Sequence, residues 1–99
     1  SHLGVDIAAS HGSPIVAAEA GTVVSAGYQG GYGLCVDINH GGGVVTRYAH
    51  LSSSAVKSGQ SVERGQFVGR AGSTGNSTGP HLHFEVIVNG VHKNPSLFI

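Results

Sequence analysis

The 99-residue chain is poor in charge and has no long hydrophobic run. Lys, Arg, Asp and Glu make up 10% of the residues and the formal net charge is zero, whereas about a quarter of an average soluble domain is charged. Because like charges are never clustered, we expect no binding to nucleic acid. No apolar stretch approaches the roughly 18 residues of a transmembrane helix, so we expect no membrane insertion by this domain.

Several residue types and motifs are missing altogether. Cys35 is the only cysteine, and methionine and tryptophan are absent. One cysteine cannot form an intramolecular disulfide, and we interpret Cys35 as a buried, inert thiol. The chain has no H-E-x-x-H motif, no C-x-x-C pair and no complete G-x-G-x-x-G fingerprint, which excludes the site types that those motifs form.

Glycine and histidine are abundant instead. Glycine accounts for 17 residues and histidine for seven, more than Lys and Arg together. Glycine is costly inside helices and common in turns, so its abundance favours a turn-rich β protein. Excess histidine in an uncharged chain indicates a metal site.

Short strand-like runs alternate with glycine turns along the chain. Residues 34–39 alternate apolar and polar side chains, which predicts a half-buried strand. Asn89-Gly90 is a favoured two-residue hairpin turn, and no amphipathic helix of ten residues is present. The other predicted strand regions are 14–18, 22–25, 44–50, 59–62, 65–68, 81–88 and 91–93. We predict an all-β antiparallel sandwich of short strands, one domain over residues 1–99, cut from a longer protein.

The segment His81-Leu82-His83 carries the strongest chemical signal. Residues two apart on a strand point to the same face, so His81 and His83 share one side, with Glu85 behind them as a candidate support for a ligand. The opposite face is apolar and can enter the core: Leu82, Phe84, Val86 and Val88. This pattern indicates the wall of a site, and the alternative is a polar stripe facing solvent.

Three further segments are weaker signals. His2 and Asp6 offer an imidazole and a carboxylate, both good zinc ligands, at a spacing that also occurs by chance. His50 ends a predicted strand, where a lone histidine is usually structural. Residues 72–80, rich in Gly, Ser and Thr, form either a groove wall or an ordinary turn.

Taken together, these segments resemble the M23 family of metallopeptidases, the lysostaphin and LytM-like endopeptidases. The resemblance covers residues 2–98, and its motifs occur in family order. The matching stretches are HLGVD at 2–6, PIVAAEAGTVVSAG at 14–27, YGLCVDINHGGGVVTRYAHLS at 32–52, GQSVERGQFVGRAGSTGNSTGPHLHFEV at 59–86 and NP at 94–95.

The resemblance implies residue roles that spacing alone leaves open. It implies that His2, Asp6 and His83 bind Zn²⁺ and that His50 and His81 are the catalytic histidines. It also implies a fold of the duplicated hybrid motif type. The implied function is hydrolysis of peptide bonds in peptidoglycan stem peptides or cross-bridges, by a monomer that is extracellular or in the cell envelope, of bacterial or phage origin.

Two other functions were weighed against the peptidase. A non-catalytic M23-like module could bind peptidoglycan or activate another hydrolase, but such modules typically lack some of the metal ligands that are all present here. A phosphocarrier of the sugar-transport type resembles this general fold and uses paired histidines. It would not need His2 and Asp6.

Overall fold

The computed structural model describes residues 4–95, which form antiparallel β-strands. Gly30–Tyr32 form a three-residue 3₁₀ helix. Within residues 4–95, no helix is long and apolar enough to cross a membrane. The all-β antiparallel prediction is confirmed. The strands are β1 (Val5–Ala8), β2 (Pro14–Val16), β3 (Gly21–Tyr28), β4 (Leu34–Gly41), β5 (Val44–Ser54), β6 (Ser61–Val62), β7 (Phe67–Ala71), β8 (His81–Val88) and β9 (Val91–Lys93).

The long strand β5 organises the sheet. The strand order is β1-β8-β5-β4-β3-β6, with β9 added to β8. Residues 44–49 of β5 pair with β8, whereas residues 51–54 pair with β7, which in turn pairs with β2. His50 lies between these two regions and has a φ of 60°. The sheet therefore changes partners at the residue that the sequence marked as a candidate catalytic histidine.

An apolar core fills one face of β4, β5 and β8. Tyr48 and Phe84 lie at its centre with ring centroids 5.4 Å apart. The Tyr48 hydroxyl accepts a hydrogen bond from the Ala18 amide at 2.9 Å, so this buried polar atom is paired. As predicted from their alternation, Leu82, Phe84 and Val86 are all buried. Burying side chains of this size contributes about 1.5–3 kcal/mol each, and this anchors β8 in the sheet.

Two local predictions had different outcomes. The hairpin at Asn89-Gly90 is confirmed, since both residues have positive φ, 51° and 80°, and β9 pairs with β8. The strand predicted at 34–39 is present, but the prediction that it is half-buried is wrong, because Asp37 is 7% exposed and Cys35 0%. A salt bridge from Arg47 to Asp37 covers the face that the alternation had placed in solvent.

Candidate active site

The pairing of β1 with β8 places Asp6 beside the two histidines. Asp6 is the direct cross-strand partner of His83, and such pairs have their side chains in contact. The Asp6 Oδ1 atom lies 2.7 Å from His83 Nδ1 and 3.4 Å from His81 Nε2. The Asp6 side chain is 66% exposed and that of His83 only 11%. The cluster therefore has an open side formed by the carboxylate and a buried side formed by the ring.

His50 joins this cluster from β5. Its Nδ1 atom donates a hydrogen bond to the Thr74 carbonyl oxygen at 2.7 Å, which leaves Nε2 as the free nitrogen. The His50 ring centroid lies 4.9 Å from that of His81 and 5.8 Å from that of His83. A left-handed backbone is uncommon for a residue other than glycine and is found preferentially at functional sites. The break between the two halves of β5 thus turns His50 towards the other imidazoles.

Thr74 holds this break in place. Its hydroxyl donates to the Leu51 carbonyl at 2.7 Å and accepts from the Leu34 amide at 3.0 Å. A Cβ atom at Gly33 would collide with the Thr74 backbone, so glycine is needed for this close approach. The loop at residues 72–80 is therefore packed against β4 and β5.

The three histidines and Asp6 form one wall of an open cleft of about 460 Å³. Tyr32 and the loop residues Asn76, Ser77 and Thr78 complete the cleft. Asn76, Ser77 and Thr78 of the loop at 72–80 therefore line the cleft, in agreement with the predicted groove wall, and peptide binding by this loop stays a prediction. His81 Nδ1 lies 2.9 Å from the Gly79 carbonyl, so it donates there, and His81 Nε2 lies 3.4 Å from Asp6 Oδ1.

His83 lies between two carboxylates. Its Nε2 atom is 2.8 Å from Glu85 Oε2, and its Nδ1 atom is 2.7 Å from Asp6 Oδ1. A neutral imidazole carries one N–H, which cannot satisfy both acceptors. Both contacts are favourable only if the ring is protonated or another cation lies between Nδ1 and Asp6. The observed burial of Glu85 excludes the solvent-facing polar stripe.

Both carboxyl groups are held in the anionic form. The hydrogen bond from His83 lowers the pKa of Asp6 below its ordinary value, despite an opposing effect of partial burial, and the nearby histidine charges lower it further. Burial alone would raise the pKa of Glu85. Hydrogen bonds from His83 and Tyr32, together with the Arg47 charge, outweigh burial and lower it. Two anionic groups on either side of one imidazole stabilise a positive charge at this position.

The donor types fit a zinc ion, because imidazole nitrogen and carboxylate oxygen are its common protein ligands. Asp6 and His83 already face one another at hydrogen-bonding distance. Within residues 4–95, the structure does not gather three histidine, cysteine or acidic side chains into a metal-binding arrangement. The third predicted ligand, His2, lies outside the described residues.

Sequence reasoning missed the residues that support these side chains. Asp37 and Arg47 form a salt bridge of 2.9 Å beside Glu85, and Tyr32 donates to Glu85 at 3.2 Å. Thr74 was noted only as part of a loop. The one available signal was Arg47 within a strand, where a buried charge requires a partner.

The fold and the cleft define an all-β domain with imidazole and carboxylate groups gathered on one wall. The chain belongs to peptidase family M23, whose family model matches residues 1–95. This confirms the family that the sequence motifs indicated.

Similar proteins agree with this assignment. The chain is 46% identical to the peptidoglycan DD-endopeptidase ShyC of Vibrio cholerae over 95 residues, 96% of this chain and 22% of that relative. It thus spans about a fifth of the length of the curated relatives it matches. The catalytic domain of the antimicrobial peptidase lysostaphin from Staphylococcus simulans superposes with a TM-score of 0.93 at 39% identity, covering 98% of this chain and 77% of that one. A zinc-containing peptidase from Vibrio cholerae has a TM-score of 0.90 at 41% identity, covering 93% and 28%.

Proposed function

We propose that this chain is a zinc metalloendopeptidase domain that hydrolyses peptide bonds in peptidoglycan stem peptides or cross-bridges. The supporting observation is the convergence of Asp6, His50, His81 and His83, which come from three different strands, on one cleft. Membership of a peptidase family and similarity to a protein named as a peptidoglycan DD-endopeptidase point to the same chemistry. We further propose that the chain is one domain of a longer protein and acts as a monomer outside the cell or in the cell envelope.

In this proposal Asp6 and His83 hold the zinc ion together with His2, which the family resemblance supplies as the third ligand. Three protein ligands are typical of catalytic zinc sites. A bound zinc ion supplies Lewis acidity, which polarises a carbonyl group and makes water a better nucleophile at neutral pH.

His50 and His81 handle protons in this proposal. Each donates its Nδ1 hydrogen to a backbone carbonyl, at 2.7 Å for His50 and 2.9 Å for His81. In the neutral ring Nε2 then has a free lone pair directed at the cleft. Such a nitrogen can accept a proton from the attacking water and return it to the leaving amine. The two carbonyl contacts set the tautomer of each ring before substrate arrives.

The cleft walls suit a peptide with small side chains. Gly31 presents no side chain, and Asn76, Ser77 and Thr78 offer short polar groups. These groups can hydrogen-bond the backbone of an extended peptide without excluding it sterically. Peptidoglycan stems and bridges are peptides of this kind, rich in alanine or glycine.

The test is digestion of purified peptidoglycan followed by mass spectrometry of the released fragments. We expect new peptide amino and carboxyl termini from the zinc-loaded protein, loss of the products after chelation, and their return when zinc is added back. Peptidoglycans of several cross-link types would identify the bond that is cut. Binding to peptidoglycan without any new termini would contradict the proposal and favour the non-catalytic module.

A further inference from the structure

We infer that Glu85 is a positioning residue that fixes the tautomer and orientation of His83. The inference rests on the proposed function to the extent that it treats His83 as a metal ligand. It assigns a role to a fully buried carboxylate that does not itself line the cleft but contacts two residues that do, His83 and Tyr32.

Glu85 and His83 are two residues apart on β8 and therefore share a face. The Glu85 Oε2 atom accepts a hydrogen bond from His83 Nε2 at 2.8 Å. Because an ionised carboxylate can only accept, this contact requires a proton on Nε2 of His83. The Asp6 carboxylate makes the same demand at Nδ1, at 2.7 Å, and a cation bound between them meets it without a second ring proton. The Nδ1 lone pair is then directed at Asp6, the arrangement that a ligand histidine requires.

The second carboxylate oxygen anchors Glu85 itself. Oε1 accepts from Tyr32 Oη at 3.2 Å, from Arg47 Nη1 at 3.3 Å and from His92 Nε2 at 3.0 Å. One oxygen thus serves His83 and the other is held by three donors. Rotation of the carboxylate would break all four contacts, so Glu85 presents Oε2 to His83 in a single orientation.

Arg47 is fixed in the same way. Its guanidinium binds Asp37 through both Nε at 2.9 Å and Nη2 at 3.1 Å, and it stacks over the Tyr32 ring at 4.7 Å. Asp37, Arg47 and Glu85 occupy opposed positions on β4, β5 and β8. Since bidentate pairs are geometrically specific, the chain of contacts links His83 rigidly to the middle of the sheet.

The charges in this network lead to the same conclusion. Two carboxylates, Asp37 and Glu85, share one guanidinium, Arg47, and Asp6 adds a third negative charge on the far side of His83. The excess negative charge favours an N–H of His83 facing Glu85 and a cation beside Asp6. Carboxylates that orient ligand histidines commonly affect metal affinity by about 10- to 100-fold.

The first experiment measures zinc affinity by competition with a chromogenic chelator for the wild type, Glu85→Gln and Glu63→Gln. Glu63 lies in an exposed turn, so its variant makes the same chemical change away from the network. We expect Glu85→Gln to bind zinc about 10- to 100-fold more weakly and Glu63→Gln to match the wild type. Equal affinity of all three proteins would overturn the inference.

The second experiment needs no substitution and so remains decisive if Glu85→Gln fails to fold. Long-range ¹H–¹⁵N NMR of the metal-free wild type at pH 8 reports which His83 nitrogen carries the proton. We expect protonated Nε2, and a ring with its only proton on Nδ1 would overturn the inference. A folded wild type that binds no zinc would instead reject the proposed function. The NMR result would then still decide whether Glu85 fixes the tautomer of His83.

Discussion

The two faces of β8 are both buried, yet they are filled by opposite chemistry. On one face Phe84 is 3% exposed and packs against Tyr48 in the apolar core. On the other face Glu85 is 0% exposed and lies within a network of hydrogen bonds and ion pairs. Consecutive residues of one strand are thus buried in two different environments, one apolar and one polar. Apolar side chains need only fill volume, whereas each polar side chain needs a partner of the right type at the right distance.

The two faces therefore differ in what they contribute. Apolar burial stabilises the fold in proportion to area, at about 1.5–3 kcal/mol per large side chain. For a buried ion pair, desolvation offsets much of the attraction, although removing one partner costs about 3–5 kcal/mol because the other charge is left unpaired. The apolar face therefore contributes mainly net stability, whereas the polar face contributes mainly the placement of the imidazoles.

The largest effect is expected from a substitution on the polar face, at His83. We expect His83→Ala to lose zinc and hydrolytic activity together, by more than about 100-fold, since even the loss of a supporting partner costs about 10- to 100-fold. Metal analysis and peptidoglycan digestion on the same sample measure both. A variant that retains full zinc would exclude His83 as a ligand.

His50→Ala separates proton transfer from metal binding on the same face. We expect zinc to remain bound while turnover falls by about 10²- to 10⁴-fold, the usual contribution of a general acid or base. Zinc content and single-turnover digestion provide the measurements. Near-normal turnover of the metal-loaded variant would contradict the assigned role.

Phe84→Ala breaks the apolar face and should have the opposite profile. We expect the free energy of unfolding to fall by about 3–5 kcal/mol, while turnover per folded, zinc-loaded molecule is retained. Urea denaturation measures the loss. Val91→Ala is the control, because Val91 is 56% exposed and should change stability by less than about 0.5 kcal/mol. Equal losses for both variants would show that Phe84 is not central to the core.

The smallest expected effect is at Thr74, in the loop whose backbone carbonyl accepts the hydrogen bond of His50. Thr74→Val removes the hydrogen bonds to Leu34 and Leu51 and should lower stability by about 1–3 kcal/mol. We also expect slower hydrolysis with zinc retained, because the His50 ring loses its fixed support. Thr22→Val, an exposed position on β3, is the matched control. Turnover equal to that control would show that Thr74 does not position His50.

The sequence predicted those parts of the site that follow from local periodicity. Alternation along residues 81–88 correctly divided β8 into a core face and a site face, and Asn89-Gly90 correctly predicted the hairpin. The pairing of Asp6 with His83 depends on a contact across 77 residues, so only the family resemblance indicated it from the sequence. The roles of His2, Asp6, His50, His81 and His83 stay predictions until they are tested.

Residues without a local pattern could not be predicted. Tyr32, Asp37 and Arg47 look like ordinary strand or turn residues until β4 and β5 bring them beside Glu85. Alternation at 34–39 predicted one solvent face, because periodicity reports which residues share a side and not what covers that side. The left-handed conformation of His50 depends on the change of strand partners around it.

By itself, the sequence determined the β class, the family and the set of imidazole and carboxylate groups available for chemistry. Those properties follow from local spacing, glycine turns and motif order. The tertiary structure decided which of those groups meet, which nitrogen of each ring faces the cleft and which buried charges are paired. Those properties depend on strand register and long-range contacts, where differences of about an ångström decide whether a hydrogen bond forms.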